Sequence, residues 1–410
     1  MADERSPIGG PPRPRHRARE LGIAIGLMPT GPTNSLVDVP GVAVGHATIW
    51  RDEARPPHGR GVARCGVTAI LPDDPRALAK SPVAGGVAVL NGAGELTSRT
   101  QIDELGTFDS PILLTSTMSV GRVYDAAIRL FMAEDSAADP SQAMIPVVAE
   151  CSDAHLNDAR FVQVDLEDVR TAIRTARGAE AGSVASGVVG AGTGMVCHEL
   201  KGGIGSASRR VEPRTSEAAS LVPRSTDPAA YTVAALAMTN YGWLEQLVID
   251  GVRVGPTLVA DGLARRKDPR LPRHPDSGSV IVVLATDAPL DARQLQRLAR
   301  RASLGIARTG GIAGNGSGDI FMAFSTANRV TAGSGPLVTR TLLSDDHIDA
   351  FFAAAAEATE EACIDSLFVS DTVIGRDGNV AHGLPVARVV ELLQAAGRPA
   401  ALPAVEGDDG

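Results

Sequence analysis

Apolar positions along the chain fall into short blocks, four to eight residues long, each cut off by glycine, proline, asparagine or aspartate. Val42 to Ile49 reads as a strand, and so does Gly66 to Leu71, which ends at a Pro-Asp-Asp-Pro turn. Val83 to Leu90 is a third apolar run, broken by Asn91-Gly-Ala-Gly. Pro111 to Ser116 and Ile145 to Ala149 are shorter runs of the same kind. Between them, Val123 to Ala133 carries its apolar residues at helical spacing, and Leu166 to Ala176 does so again. Val184 to Val196 is apolar and glycine-rich and leads into Lys201-Gly-Gly-Ile-Gly. Thr232 to Thr239 predicts a strand entering Asn240-Tyr-Gly, and Val252 to Leu258 is a further apolar run.

The pattern then changes abruptly. Residues 261–278, DGLARRKDPRLPRHPDSG, are rich in arginine and proline, have no apolar period, and read as an exposed linker. Ser279 to Thr286, SVIVVLAT, follows at once as the strongest buried-strand signal in the chain. Asp291 to Ala307 is an amphipathic helix with Asp291 placed to cap it, followed by the turn GGIAGNGSGD and a strand from Ile320 to Ser325. Asp345 to Ser366 is helical and alanine-rich. Strands and helices mix without regular βαβ units, which favours an α+β layered sandwich over a doubly wound sheet. We divide the chain into a polar tail (1–16), one catalytic domain (17–400) and a frayed end (401–410).

Composition narrows the function classes. Hydrophobic residues make up 44% and aromatics only 3%, so the core is built from Val, Ala, Leu and Ile; the 44 glycines point to close backbone approaches. A net charge of -9 argues against a nonspecific nucleic-acid binder, and the shortage of aromatics removes the platforms on which single strands stack. Arg13, Arg15, Arg17 and Arg19 could form an RNA-binding arm, but the polar, proline-rich context reads better as a tail. No run is long and apolar enough to span a membrane, and no signal-peptide core opens the chain. Cys65, Cys151, Cys197 and Cys363 form no CxxC pair and read as reduced thiols of a cytoplasmic protein. His46, His155 and His198 lack metal-ligand spacing and read as structural, and GAGTGM lacks the spacing of a dinucleotide fingerprint.

The Gly278-Ser279 step, where linker meets strand, has two readings. It is either an ordinary bend or a site of self-cleavage. A serine at the head of a rigid strand is placed to attack its own preceding carbonyl, and glycine on the acyl side offers no side chain to block it. Hydrolysis of the resulting ester would free the α-amine of Ser279, whose ordinary pKa of about 8 suits a general base for its own hydroxyl. Ser317 and Asp319, in Asn315-Gly-Ser-Gly-Asp, could relay to and orient that amine, and Asn240 could donate to an oxyanion. Each is equally at home in ordinary turn chemistry.

Several of these segments resemble one family. VIVVLATDAPL after Gly-Ser, GNGSGDI before FMAFSTANR, GAGTGMVCHELKGGIGSASR, NGAGELT, PILLTS, DVPGVAVGH and TNYG are similar, in the same order, to the DmpA-type L-aminopeptidase/D-esterase and β-peptidyl aminopeptidases. The resemblance runs from about Arg17 to about Leu384. It implies an N-terminal-nucleophile hydrolase with an αββα sandwich, cut between Gly278 and Ser279 into chains 1–278 and 279–410 that stay together. On that resemblance Ser279 is the nucleophile, Ser317 and Asp319 support it, Asn240 holds the oxyanion, and Glu150 receives the substrate's ammonium group. It also implies no metal or organic cofactor, a small peptide or amino-acid amide substrate with a free amine, and a homo-oligomer. The chain departs from the family in having Ser152 where an aromatic is common, His155-Leu-Asn-Asp for a YLND-like stretch, and Asp319 where β-peptide-cleaving members often have Glu.

Rival readings follow from the same residues. A nylon-oligomer-type hydrolase or an ornithine-acetyltransferase-like acyltransferase shares the fold but typically uses threonine where this chain has Ser279. A protein that keeps the fold, stays uncut and merely binds amines is the non-enzymatic alternative.

Overall fold

A computed structural model describes residues 12, 15–134, 144–179, 182, 184–212, 230–263, 278–329 and 335–402. Most of the linker between 261 and 278 and most of both ends lie outside the described residues. Along the chain run β1 (Ala43–Asp52), β2 (Val62–Leu71), α1 (Pro75–Lys80), β3 (Val83–Gly92), α2 (Arg99–Leu105), β4 (Thr107–Phe108) and β5 (Ile112–Ser116). Then come α3 (Val120–Glu134), β6 (Val147–Cys151), α4 (Leu166–Arg177), β7 (Val196–Cys197), β8 (Leu200–Lys201), β9 (Ile204–Val211) and β10 (Tyr231–Asn240). The remainder is α5 (Gly255–Ala260), β11 (Ser279–Thr286), α6 (Ala292–Arg308), β12 (Gly318–Ser325), α7 (Asp349–Phe368) and α8 (Val386–Ala395), with two short strands before α8.

Among the described residues, beside two small two-stranded pairs, one of them β7-β8, two large sheets form, a four-stranded one in the order β1-β2-β5-β6 and a six-stranded one in the order β4-β3-β12-β11-β10-β9. The alternation in β11 shows how they stack. Ile281, Val283 and Ala285 face the space between the sheets, where they meet Ile112, Leu114, Val147 and Ala149. Val280, Val282 and Leu284 face the other way, onto Leu295, Leu298 and Ile306 of α6 and Ala358 and Ala362 of α7. Every residue of β11 is therefore buried, as a two-faced strand requires. On the far side of the small sheet, Ala47, Cys65, Val67 and Val148 pack against Val123, Ala127, Val169 and Ile173 of α3 and α4. The layers run helix, sheet, sheet, helix, the αββα sandwich that the family resemblance implies.

The glycine excess has a use here. A Cβ at Gly205 in β9 would lie 1.8 Å from the Ala362 carbonyl oxygen, and one at Gly45 in β1 would lie 2.2 Å from the Ala176 nitrogen. Helices sit directly on sheet backbone at both places, so a core poor in aromatics still closes without gaps.

Three elements differ from the sequence reading. β9 carries buried polar residues, Ser206, Ser208 and Arg209, where an apolar strand pattern would be expected. The apolar run from Val252 ends in the short helix α5. The last long helix begins at Asp349 instead of Asp345, because the Asp345 carboxylate is taken by Arg293 at 2.8 Å and Gln294 at 2.7 Å, at the start of α6.

Arg17 and Arg19 point into the body. Arg17 pairs with Asp365 and Arg19 with Glu361 at 2.6 Å. Arg209, fully buried, reaches Glu361 at 2.6 Å and Glu357 at 3.0 Å, so α7 buries its carboxylates against a matching set of guanidiniums. Removing one partner of such a set strands the other. Arg209→Met should lower unfolding free energy by about 3–5 kcal/mol in urea titration at neutral pH; a loss below about 1 kcal/mol would show that the carboxylates find other partners.

Candidate active site

The site is set by strand register. Ser279, first residue of β11, pairs with Asn240 on antiparallel β10 and with Gly318 on parallel β12. Asp319 pairs with Asn91 on β3, and the ladder slips between Asp319 and Ile320. The ends of four adjacent strands thus converge on one locus. Ser279 is nearly enclosed, at 4% exposure, and Asn240, Ser317 and Asp319 are likewise buried.

Asn240 donates from Nδ2 to Ser279 Oγ at 3.4 Å, while its Oδ1 accepts from the Val196 backbone N–H at 2.9 Å. Ser317 Oγ donates to Asp319 Oδ1 at 2.7 Å. The other carboxylate oxygen, Asp319 Oδ2, is buried and has no hydrogen-bond partner among the described residues. Burial raises the Asp319 pKa, with the Ser317 hydrogen bond pulling it back. The Gly278 carbonyl accepts from the Gly318 N–H at 3.1 Å, so the bond before Ser279 is already held and polarised by the β12 backbone.

Position 278 is a tight fit for a side chain. A Cβ there would lie 3.2 Å from Tyr241 Cα, 3.3 Å from the Asn240 carbonyl oxygen and 3.4 Å from Ser317 Oγ. Glycine fits there without displacing the groups that surround Ser279; a larger residue would push on them by a few tenths of an ångström.

Glu150 comes from the other sheet, near the end of β6 beside Thr115 of β5. Its neighbour Cys151 donates from Sγ to the Met238 carbonyl of β10 at 3.6 Å, which ties the two sheets together beside the site. A Cβ on Gly94 would stand 3.1 Å from Gly318 Cα and 3.2 Å from Glu150 Oε1, so Gly94 lies between them. Glu150 accepts from the Glu95 N–H at 3.1 Å and from the Thr117 hydroxyl. Burial raises its pKa above the ordinary 4.5, and those two hydrogen bonds oppose the shift.

The five side chains named from sequence therefore gather at the facing ends of the two sheets. Thr117, Cys151 and the Gly318 amide were not foreseen, because their contacts join residues distant in sequence. Thr117 directly follows PILLTS, the only local hint of its place. Ser152 is exposed, and the stretch from His155 to Asp158 begins with a turn in which Leu156 and Asn157 bond back to the Asp153 carbonyl, both at 3.0 Å. Asp153 is fully enclosed, and burial raises its pKa to about 7. His198 is buried and His46 half-buried, and desolvation lowers both to about 4, which keeps them neutral. All four cysteines are buried and unpaired. Among the described residues no cluster of His, Cys, Asp or Glu could hold a metal, and no helix is long and apolar enough to cross a membrane.

A serine heading a central strand of a two-sheet sandwich, with an amide donor on its hydroxyl, is the arrangement of the N-terminal-nucleophile hydrolase fold, and the chain's relatives make the class serine aminopeptidase. The family model described as Peptidase family S58 matches residues 34–381. The chain belongs to peptidase family S58. It is 38% identical over 385 residues to a β-peptidyl aminopeptidase BapA of Sphingosinicella microcystinivorans, covering 92% of each chain. Among solved structures, a β-aminopeptidase from a Burkholderia species is 40% identical with a TM-score of 0.79, over 93% of this chain and 99% of that one. The L-aminopeptidase D-Ala-esterase/amidase of Ochrobactrum anthropi, described as a prototype for the serine aminopeptidases, is 36% identical with a TM-score of 0.81, over 94% and 99%.

The buried setting of Glu150 is directly measurable. The infrared carboxyl band lost in Glu150→Gln should appear on acidification at a pH above 4.5, because burial favours the protonated form. The band should reach half its full height above pH 4.5; a midpoint at or below that value would mean the site holds the carboxylate as well as water does.

Proposed function

We propose that the chain cuts itself between Gly278 and Ser279, and that Ser279 then removes N-terminal residues from small peptides, amides or esters. The observation that carries this reading is Ser279 Oγ at 3.4 Å from Asn240 Nδ2, on a strand whose preceding carbonyl is held at 3.1 Å by Gly318. Attack of Oγ on the Gly278 carbonyl carbon forms an ester as the C–N bond breaks and the hydroxyl proton passes to the freed Ser279 amine; water then hydrolyses the ester, ending chain 1–278 in a carboxylate and restoring the Ser279 hydroxyl. The β10–β11 and β3–β12 ladders each pair a strand of chain 1–278 with one of chain 279–410 and would keep the two chains together.

In turnover the α-amine takes the Ser279 hydroxyl proton as Oγ attacks the substrate carbonyl. Asn240 Nδ2 donates to the oxyanion, the leaving amine takes up the proton, and water hydrolyses the acyl-serine to restore the site. Ser317 already gives its proton to Asp319, so its lone pairs are available to accept from the α-amine. The unpartnered Asp319 Oδ2 offers a buried negative partner when that amine becomes charged. Glu150 is the anchor for the substrate's own ammonium group. Its enclosed setting fits a cation that brings its charge with it, and gives a blocked amine nothing.

The relatives are named for β-peptides, L-amino acids and D-alanyl esters or amides, and the acyl pocket of this chain accepts substrates within that range. Four buried free thiols suit a reducing cytoplasm. Leu337, Val338 and Leu342, exposed in one stretch, offer an apolar surface for assembly of the processed units into a homo-oligomer.

Rates on a panel of L-, D- and β-aminoacyl amides and their N-acetylated counterparts test the reading. Ser279→Ala should abolish turnover, and acetylated substrates should not react. Glu150→Gln should weaken kcat/KM by about 30-fold or more, chiefly through KM, as loss of one member of a desolvated charge pair does. Equal rates on free and blocked amines would remove the role of Glu150; undiminished turnover by Ser279→Ala would remove the mechanism.

A further inference from the structure

The motif GAGTGMVCHELKGGIGSASR contains a lysine that the mechanism above leaves unused. Lys201 is fully buried, at 0% exposure. Its Nζ lies 3.1 Å from the Gly192 carbonyl oxygen, 2.8 Å from that of Met195 and 2.6 Å from that of Gly202. No carboxylate pairs with it among the described residues. Three carbonyl oxygens need three N–H donors, which the ammonium supplies; a neutral amine has two and would turn a lone pair toward the third oxygen. Burial draws the Lys201 pKa down to about 7, while three carbonyl acceptors around Nζ favour the protonated form.

One of the three carbonyls stands directly behind the site. The Met195 oxygen belongs to the peptide group whose nitrogen is Val196, and that N–H donates to Asn240 Oδ1 at 2.9 Å. The same asparagine donates through Nδ2 to Ser279 Oγ at 3.4 Å. Ammonium, peptide group, side-chain amide and nucleophile form one chain of hydrogen bonds, each amide accepting at its oxygen and donating from its nitrogen. The Val196 N–H also decides which end of the Asn240 side chain is oxygen, and so turns Nδ2 toward Ser279. A cation at the head of such a chain polarises each amide in turn and makes the last N–H a stronger donor.

We propose that Lys201 is a positioning residue for the oxyanion hole: its charge, relayed through the Met195–Val196 peptide group, orients and polarises the Asn240 amide that receives the negative charge of the tetrahedral intermediate. This rests on the reading of Asn240 as oxyanion donor. Lys201 touches neither Ser279 nor the substrate, and its contribution is felt where charge develops, in kcat and not in KM.

The test is a double-mutant cycle on purified enzyme with an aminoacyl amide, rates being divided by the amount of processed chain and folding checked by circular dichroism. Asn240→Ala should lower kcat by about 100-fold or more, as loss of an oxyanion donor does. Lys201→Met should lower kcat by about 10- to 100-fold with KM within about twofold, and the same change in the Asn240→Ala background should cost less than about threefold. Where Lys201→Met does not fold, Lys201→Gln, which keeps two donors and removes the charge, is read the same way. Losses that multiply in the double variant, an effect confined to KM, or an unchanged kcat in folded Lys201→Gln would overturn the relay while leaving Asn240 in place. An unchanged kcat in Asn240→Ala would overturn the oxyanion reading and the relay with it.

Discussion

The backbone hydrogen bonds that join β11 to β10 on one side and to β12 on the other hold Ser279 level with both Asn240 and Gly318. Side chains alternate along a strand, so a slip of one residue would turn Ser279 away from Asn240 and send Val280 into its place. The core prevents this slip. Ile281, Val283 and Ala285 fit only between the sheets, and Val280, Val282 and Leu284 only under α6 and α7. The same apolar packing that stabilises the sandwich therefore fixes the geometry of the nucleophile, and Gly318, Asp319 and Asn91 follow from neighbouring ladders.

On this frame the site is an arrangement of buried polar groups that the protein only partly satisfies. Asp319 gives one oxygen to Ser317 and keeps the other unpartnered, and Glu150 is held by one backbone amide and one hydroxyl. Around Arg209 and Glu361 the buried charges are paired instead, although Asp109 and Asp153 each also keep one carboxylate oxygen without a hydrogen-bond partner. An incomplete set is costly in an interior, and it is found where a new amine would appear if the chain were cut and where a substrate's ammonium would enter.

Much of the fold was legible from pattern. β11 is read from Ser279 to Thr286 in sequence and structure alike, because seven consecutive apolar or β-branched residues after Ser279, between a linker and a turn, leave no other reading. α6 agrees within a residue because Asp291 caps it through Gln294. β9 was missed since its inward positions hold Ser206, Ser208 and Arg209, made tolerable by Asp38, Asn34 and the carboxylates of α7, all distant in sequence. Of the site, Ser279, Ser317, Asp319, Asn240 and Glu150 were named, but only the resemblance to a family tied them to one locus. Gly318, Thr117, Cys151 and Lys201 act through backbone atoms or through partners in other strands, and no local signal marks such roles.

The account turns on a broken peptide bond. Intact-mass analysis with N-terminal sequencing of fully active enzyme should find two chains that copurify, the smaller beginning at Ser279 with a free amine. A single chain of 410 residues carrying full activity, its Gly278–Ser279 bond unbroken, would contradict it.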